Sequence, residues 1–178
     1  MKNVKHIINA TVLGIALISV VSCKNETKEK SVETAVESSK ENTVEVVQAK
    51  PKFKAANVTA TFQNYIKLKD ALVNTDAVAA KNGAELIANT TENSEIKALA
   101  SAIASESDIA KQREQFSDLT TLLKPVLVAN LSSGEIYEQH CPMALKDGAN
   151  WFAVEKEINN PYYGDKMLHC GLVQETLQ

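Results

Sequence analysis

TATFQNYIKLKDALV, residues 59–73, decides the fold class. Phe62, Tyr65, Ile66, Leu68, Leu72 and Val73 recur mostly three or four residues apart, which lays one apolar stripe along an amphipathic helix. Asn74-Thr75-Asp76 then breaks the pattern and offers a new N-cap. Toward the C-terminus the same grammar repeats. An Ala-rich second helix runs from Ala77 to about Ala88, with Val78, Ala79, Gly83, Leu86 and Ile87 available for close packing, and Thr90 to Ser94 is a polar turn. Ile96, Leu99, Ala100 and Ile103 mark a short third helix. After a break and cap at Ser105 to Asp108, the residues Ile109, Gln112, Phe116, Leu119, Leu123, Val126 and Leu127 mark a longer fourth one, with a kink expected at Pro125. Helices joined by short polar turns pack as antiparallel neighbours. The expected fold is therefore mainly α, an antiparallel bundle of about four helices with a small C-terminal β-hairpin module. No bundle face carries a catalytic set. Arg113, the sole arginine, is either a surface charge or a link to the C-terminal module.

Outward in the other direction, Lys24 to Lys52 alternates Lys and Glu with Ser, Thr and Asn and holds no aromatic residue. Such a segment buries too little surface to offset its conformational entropy and reads as a disordered tether. As a coil it spans on the order of 30 Å. Before it, Lys2 and Lys5 precede an uncharged run from Ile7 to Ser22 and then Cys23, the pattern of an export signal over residues 1–22. Val20-Val21-Ser22-Cys23 resembles the lipobox of bacterial lipoproteins, which implies that Cys23 becomes the acylated, palmitate-bearing N-terminus of the mature protein. The expected organisation is a signal peptide (1–22), a lipidated Cys23 with its tether (23–57), and a folded domain (58–178). It places the protein in the cell envelope, anchored to a membrane and facing the periplasm or the cell exterior. The net charge of −3 and the lack of a basic patch exclude a nucleic-acid partner.

The chemistry concentrates in residues 140–171, HCPMALKDGANWFAVEKEINNPYYGDKMLHCG. Three His, three Met and three Cys occur in the chain, and all of them outside residues 1–23 lie here: His140, Cys141, Met143, Met167, His169 and Cys170. Asp147-Gly148 suits a tight hairpin turn, so Cys141 and Met143 are expected on one face of its first arm, with His140 on the other. Asp165 to Leu168 is expected to form one helical turn that sets Met167 and Cys170 on one side. Four sulfurs facing each other select Cu(I), or Ag(I), over hard cations, and the inclusion of Met departs from structural zinc sites. The same cysteines also suit a disulfide. A Cys141–Cys170 bridge outside the cytoplasm closes a loop of about 30 residues and contributes ~3 to 4 kcal/mol. An enzymatic role is the weakest reading, because neighbours His140 and Cys141 point apart on a strand and no activating set accompanies them.

CPMALKDGANWF and NPYYGDKMLHCG, together with residues 62–73 and Gln112-Arg113-Glu114-Gln115-Phe116-Ser117, resemble a family of uncharacterised bacterial envelope domains. The resemblance spans about Thr59 to Val173. The family's domain occurs as a lipoprotein and attached to the periplasmic adaptor subunits of copper and silver efflux pumps of the resistance-nodulation-division type. The resemblance implies heavy-metal handling by Cys141, Met143, Met167 and Cys170, with His140 and His169 beside them. The expected function is metal capture near a membrane and hand-over to an efflux adaptor or another envelope protein, with copper as the first candidate cargo. The alternative is a disulfide-stapled structural or protein-interaction module without metal.

Overall fold

A computed structural model describes residues 50–178. The export signal, the lipidation site Cys23 and most of the tether lie outside the described residues. The four helices are α1 (Ala56–Val73), α2 (Ala77–Thr90), α3 (Ser94–Ser105) and α4 (Ile109–Asn130). Their starts follow from local chemistry. Asp76 accepts the backbone N–H groups of Val78 and Ala79, Asn93 those of Glu95 and Ile96, and Asp108 that of Ala110. α4 runs through Pro125 as one continuous element. Pro125 and Thr121 are both exposed, so the carbonyl that Pro125 leaves without a donor lies where water can serve it. Among the described residues no helix is long and apolar enough to cross a membrane.

Regular structure begins ahead of residue 58. Strand β1 (Lys52–Phe53) pairs antiparallel with β2 (Leu131–Ser133), and Lys54 donates its backbone N–H to Asn130. The end of the expected tether is thereby fastened beside the exit of α4. The Phe53 ring packs at a tilt against that of Phe62, centroids 5.3 Å apart, which adds an apolar reason for the attachment.

The C-terminal module is larger than a hairpin. β3 (Ile136–Cys141) is the centre of a three-stranded antiparallel sheet, flanked by β4 (Ala149–Ala153) and β5 (Leu172–Leu177). β3 pairs with β4 at His140 to Asn150 and Cys141 to Ala149, and with β5 at His140 to Leu172. Asp147-Gly148 does not form a two-residue turn. Pro142 has no N–H for the ladder, β3 stops before it, and a seven-residue connection follows. Met143 therefore lies in a turn past the strand rather than on its arm, and is 58% exposed.

Tyr65 joins the bundle to this sheet. It is fully buried and donates its hydroxyl proton to Thr120 on α4, whose own proton goes to the Phe116 carbonyl. The same hydroxyl oxygen accepts the backbone N–H of Phe152 on β4 at 3.1 Å. Rings of Phe62, Phe116 and Phe152 surround it at centroid distances of 5.0–6.3 Å. Tyr65→Phe keeps the ring but strands the buried Phe152 N–H and removes the bond that the Thr120 hydroxyl accepts. The expected loss is about 1–3 kcal/mol of unfolding free energy, read from the urea midpoint, and Phe62→Leu at the bundle end is the packing control.

Candidate metal centre

Pairing of β5 against β3 brings residues 170 and 171 alongside the end of β3. The sulfurs of Cys141 and Cys170 lie 3.0 Å apart, and both cysteines are free. Cys141 is buried and Cys170 is half-buried. The hydrogen bond to Cys141 raises the Cys170 thiol above its ordinary range, and desolvation and charge at Cys141 act in the same direction. A disulfide needs the sulfurs at about 2.05 Å. Two thiolates on one tetrahedral ion need them at about 3.8 Å, given metal–sulfur bonds near 2.3 Å. The reduced pair sits between these limits, and a shift of about 1 Å either way reaches one of them.

The segment Asn160-Pro161-Tyr162-Tyr163-Gly164 explains how Cys170 is held. Asn160 is fully buried; its side chain donates to the Cys170 carbonyl at 2.9 Å and accepts the backbone N–H of Tyr162 at 2.8 Å. Its own backbone N–H goes to the Leu168 carbonyl. Tyr162 donates to the Asn150 carbonyl on β4, packs edge-on against Trp151 and contacts Phe116 on α4. Tyr163 donates to the Met143 carbonyl. Burial, first of all, pushes the Tyr162 hydroxyl far above its usual range, so it stays a donor.

Arg113 reaches the C-terminal module. It donates Nε–H to the Pro161 carbonyl at 2.7 Å, and a terminal nitrogen to the Leu72 carbonyl at 2.9 Å and to Thr75 Oγ1 at 3.1 Å. One planar fork thus ties α4, the α1–α2 turn and the loop together. Gly164, at φ +56°, lets the loop come this close. A Cβ there would lie 2.5 Å from Thr75 Oγ1 and 2.8 Å from the Val73 carbonyl oxygen.

The remaining sequence candidates are placed as follows. Met167 is half-buried after a 3₁₀ turn at Gly164–Lys166, and its carbonyl accepts the Cys170 N–H at 3.0 Å. His169 is exposed and donates Nδ1–H to the Ile158 carbonyl at 2.8 Å. His140 lies on the face of β3 opposite Cys141, as strand alternation requires, and its Nδ1 lies 2.6 Å from Asn150 Oδ1. The structure thus brings the two cysteines together and keeps His140 apart from them. Among the described residues no three His, Cys, Asp or Glu side chains gather to hold a metal ion. Further ligands for an ion at the pair would be the thioethers of the same module, or groups from a partner. The soft donor set fits Cu(I) in kind.

Sequence reasoning missed Asn160, read there only as part of a turn. Its signal was the Asn-Pro pair, since a buried Asn in a turn commonly satisfies backbone groups on both sides. Trp151 lies against Gly171 and is fully buried, with its indole nitrogen unpartnered among the described residues.

Residues 61–134 match the family described as protein of unknown function (DUF3347). The match takes in most of α1, all of α2 to α4 and β2, and ends before the sulfur pair. No curated protein and no solved structure matches the chain.

Gly171 controls how closely Cys170 approaches β3. Its φ is +149°, and a Cβ would lie 2.9 Å from both the His140 carbonyl oxygen and the Trp151 ring. Gly171→Ala is expected to push the strand entry outward and separate the sulfurs. Oxidation by a small disulfide should then close the Cys141–Cys170 bond at least tenfold more slowly than in the parent, followed by mass spectrometry after thiol trapping.

Proposed function

We propose that this is a lipid-anchored protein of the cell envelope that binds a soft metal ion, with copper first, and hands it to an efflux adaptor or another envelope partner. The observation that carries the reading is the convergence of two reduced cysteine sulfurs to 3.0 Å at the edge of the C-terminal module. Cys141 is shielded in the core while Cys170 is partly open, so an ion can be held on one side and reached from the other. Met143 and Met167 are close to the pair in sequence and are the other sulfur donors of the module. Trp151 and Tyr162 belong to the same buried core as Cys141, which limits water there and favours a weakly hydrated ion over a hard one. The lipobox-like end at Cys23 and the polar tether support the placement at a membrane, and the resemblance to adaptor-linked domains supports the partner. No catalytic role is assigned to the site.

Titrating the reduced full-length protein with Cu(I) against a competing chelator tests this. The Cys141→Ser, Cys170→Ser double variant should lose at least a hundredfold in affinity, and Met167→Leu a smaller factor. Unchanged affinity in the double variant overturns the proposal.

The short sulfur separation also favours a second reading, a disulfide-stapled module that carries no metal. Trapping thiols directly in the native envelope separates the two. A pair already oxidised, and resistant to a mild reductant, supports the staple; two trapped thiols support the metal site.

A further inference from the structure

The other face of β3 carries polar groups that the sulfur pair does not use. Glu138 is 3% exposed and both its oxygens are occupied. One accepts from Lys124 on α4 at 2.6 Å, and the other from the Asn150 side-chain amide at 2.8 Å. Because a carboxylate paired with an ammonium only accepts, the nitrogen of the Asn150 amide must face Glu138. Its oxygen then faces His140, and the 2.6 Å contact is a hydrogen bond donated by His140 Nδ1–H. The neutral ring is thereby held in one tautomer, with its lone pair on Nε2.

His140 lines a cleft of about 490 Å³ between α4 and the sheet, and Asp147 lines it too. The position of a Cβ on Gly148 would be 2.6 Å from His140 Cε1 and 3.0 Å from Nε2, so the loop bearing Asp147 packs against that side of the ring. Asp147 makes no hydrogen bond or ion pair among the described residues. Glu138, Asp147 and the neighbouring Glu175 outnumber the ammoniums of Lys124 and the neighbouring Lys146, so the cleft favours a cation. An imidazole that donates its second nitrogen to an oxygen acceptor backed by a carboxylate is the usual support for a metal-ligating histidine.

We propose that this cleft is a second metal site, for a divalent ion of borderline softness such as Cu(II) or Zn(II), with His140 Nε2 and the Asp147 carboxylate as its protein ligands and water completing the sphere. Imidazole with carboxylate suits such ions, whereas the thiols on the opposite face suit Cu(I). The site is open and its ion exchangeable. It shares no ligand with the sulfur pair and stands whether or not that pair binds metal.

The probe is Cu(II) added to the full-length chain carrying Cys23→Ser, Cys141→Ser and Cys170→Ser, which excludes thiol binding. Electron paramagnetic resonance should show nitrogen superhyperfine structure from a single imidazole. His140→Gln should abolish it and weaken binding at least tenfold, while His6→Gln and His169→Gln leave both unchanged. Asp147→Asn, in an exposed loop, should also weaken binding, and Asn150→Ala should cost 10- to 100-fold by freeing the ring. In the metal-free protein, nitrogen chemical shifts should place the His140 proton on Nδ1. Binding that survives His140→Gln or Asp147→Asn within twofold, or a proton found on Nε2, overturns the proposal.

Discussion

The buried hydroxyl of Tyr65 is the constraint on which the rest of the structure depends. A phenol sealed away from water must spend its donor and acceptor inside the protein or cost free energy of the order of a lost hydrogen bond. Here it gives its proton to Thr120 and accepts from the Phe152 N–H, so α1, α4 and β4 meet at one atom. The surrounding aromatic rings fill the space between these elements and leave little freedom in how the sheet sits on the bundle. Buried Lys69 acts similarly at the end of α1, pairing across to Glu155 just past β4.

With β4 fixed in that way, the position of the sulfur pair follows by steps. β3 is registered on β4, β5 on β3, and the loop between β4 and β5 is pinned at Asn160 and by the Arg113 fork. Cys170 is therefore placed by long-range attachments, while Cys141 sits at the end of a central strand. A pair built in this manner is preorganised, and the ordering of its two sulfurs is already accomplished by the fold before anything binds. The small adjustment between the disulfide and metal-bridging separations can come from Cys170, the less buried partner.

The two faces of β3 have different chemical characters for the same geometric reason. Alternation sends Cys141 toward Cys170 and His140 toward the cleft beside α4. On one side are polarizable sulfurs and aromatic rings. On the other is a chain of charged and amide groups running from Lys124 through Glu138 and Asn150 to His140, in which each member fixes the orientation of the next.

The helices were legible in the sequence because a helix is decided locally. The stripe of Phe62, Tyr65, Leu68 and Leu72, the caps at Asp76 and Asp108, and the short polar turns all act within a few residues of one another. The opposition of His140 and Cys141 was legible too, since strand alternation is equally local. The third strand was not, because β5 carries exposed residues along nearly its whole length and shows no apolar alternation to betray it. Nor was the choice between the two roles of Arg113, which turns on a carbonyl 48 residues away. Sequence clustering of His, Met and Cys marked where chemistry resides. Which of them meet was decided by the pairing of β5 on β3 and by the approach that Gly171 permits, both set by contacts between segments far apart in the chain.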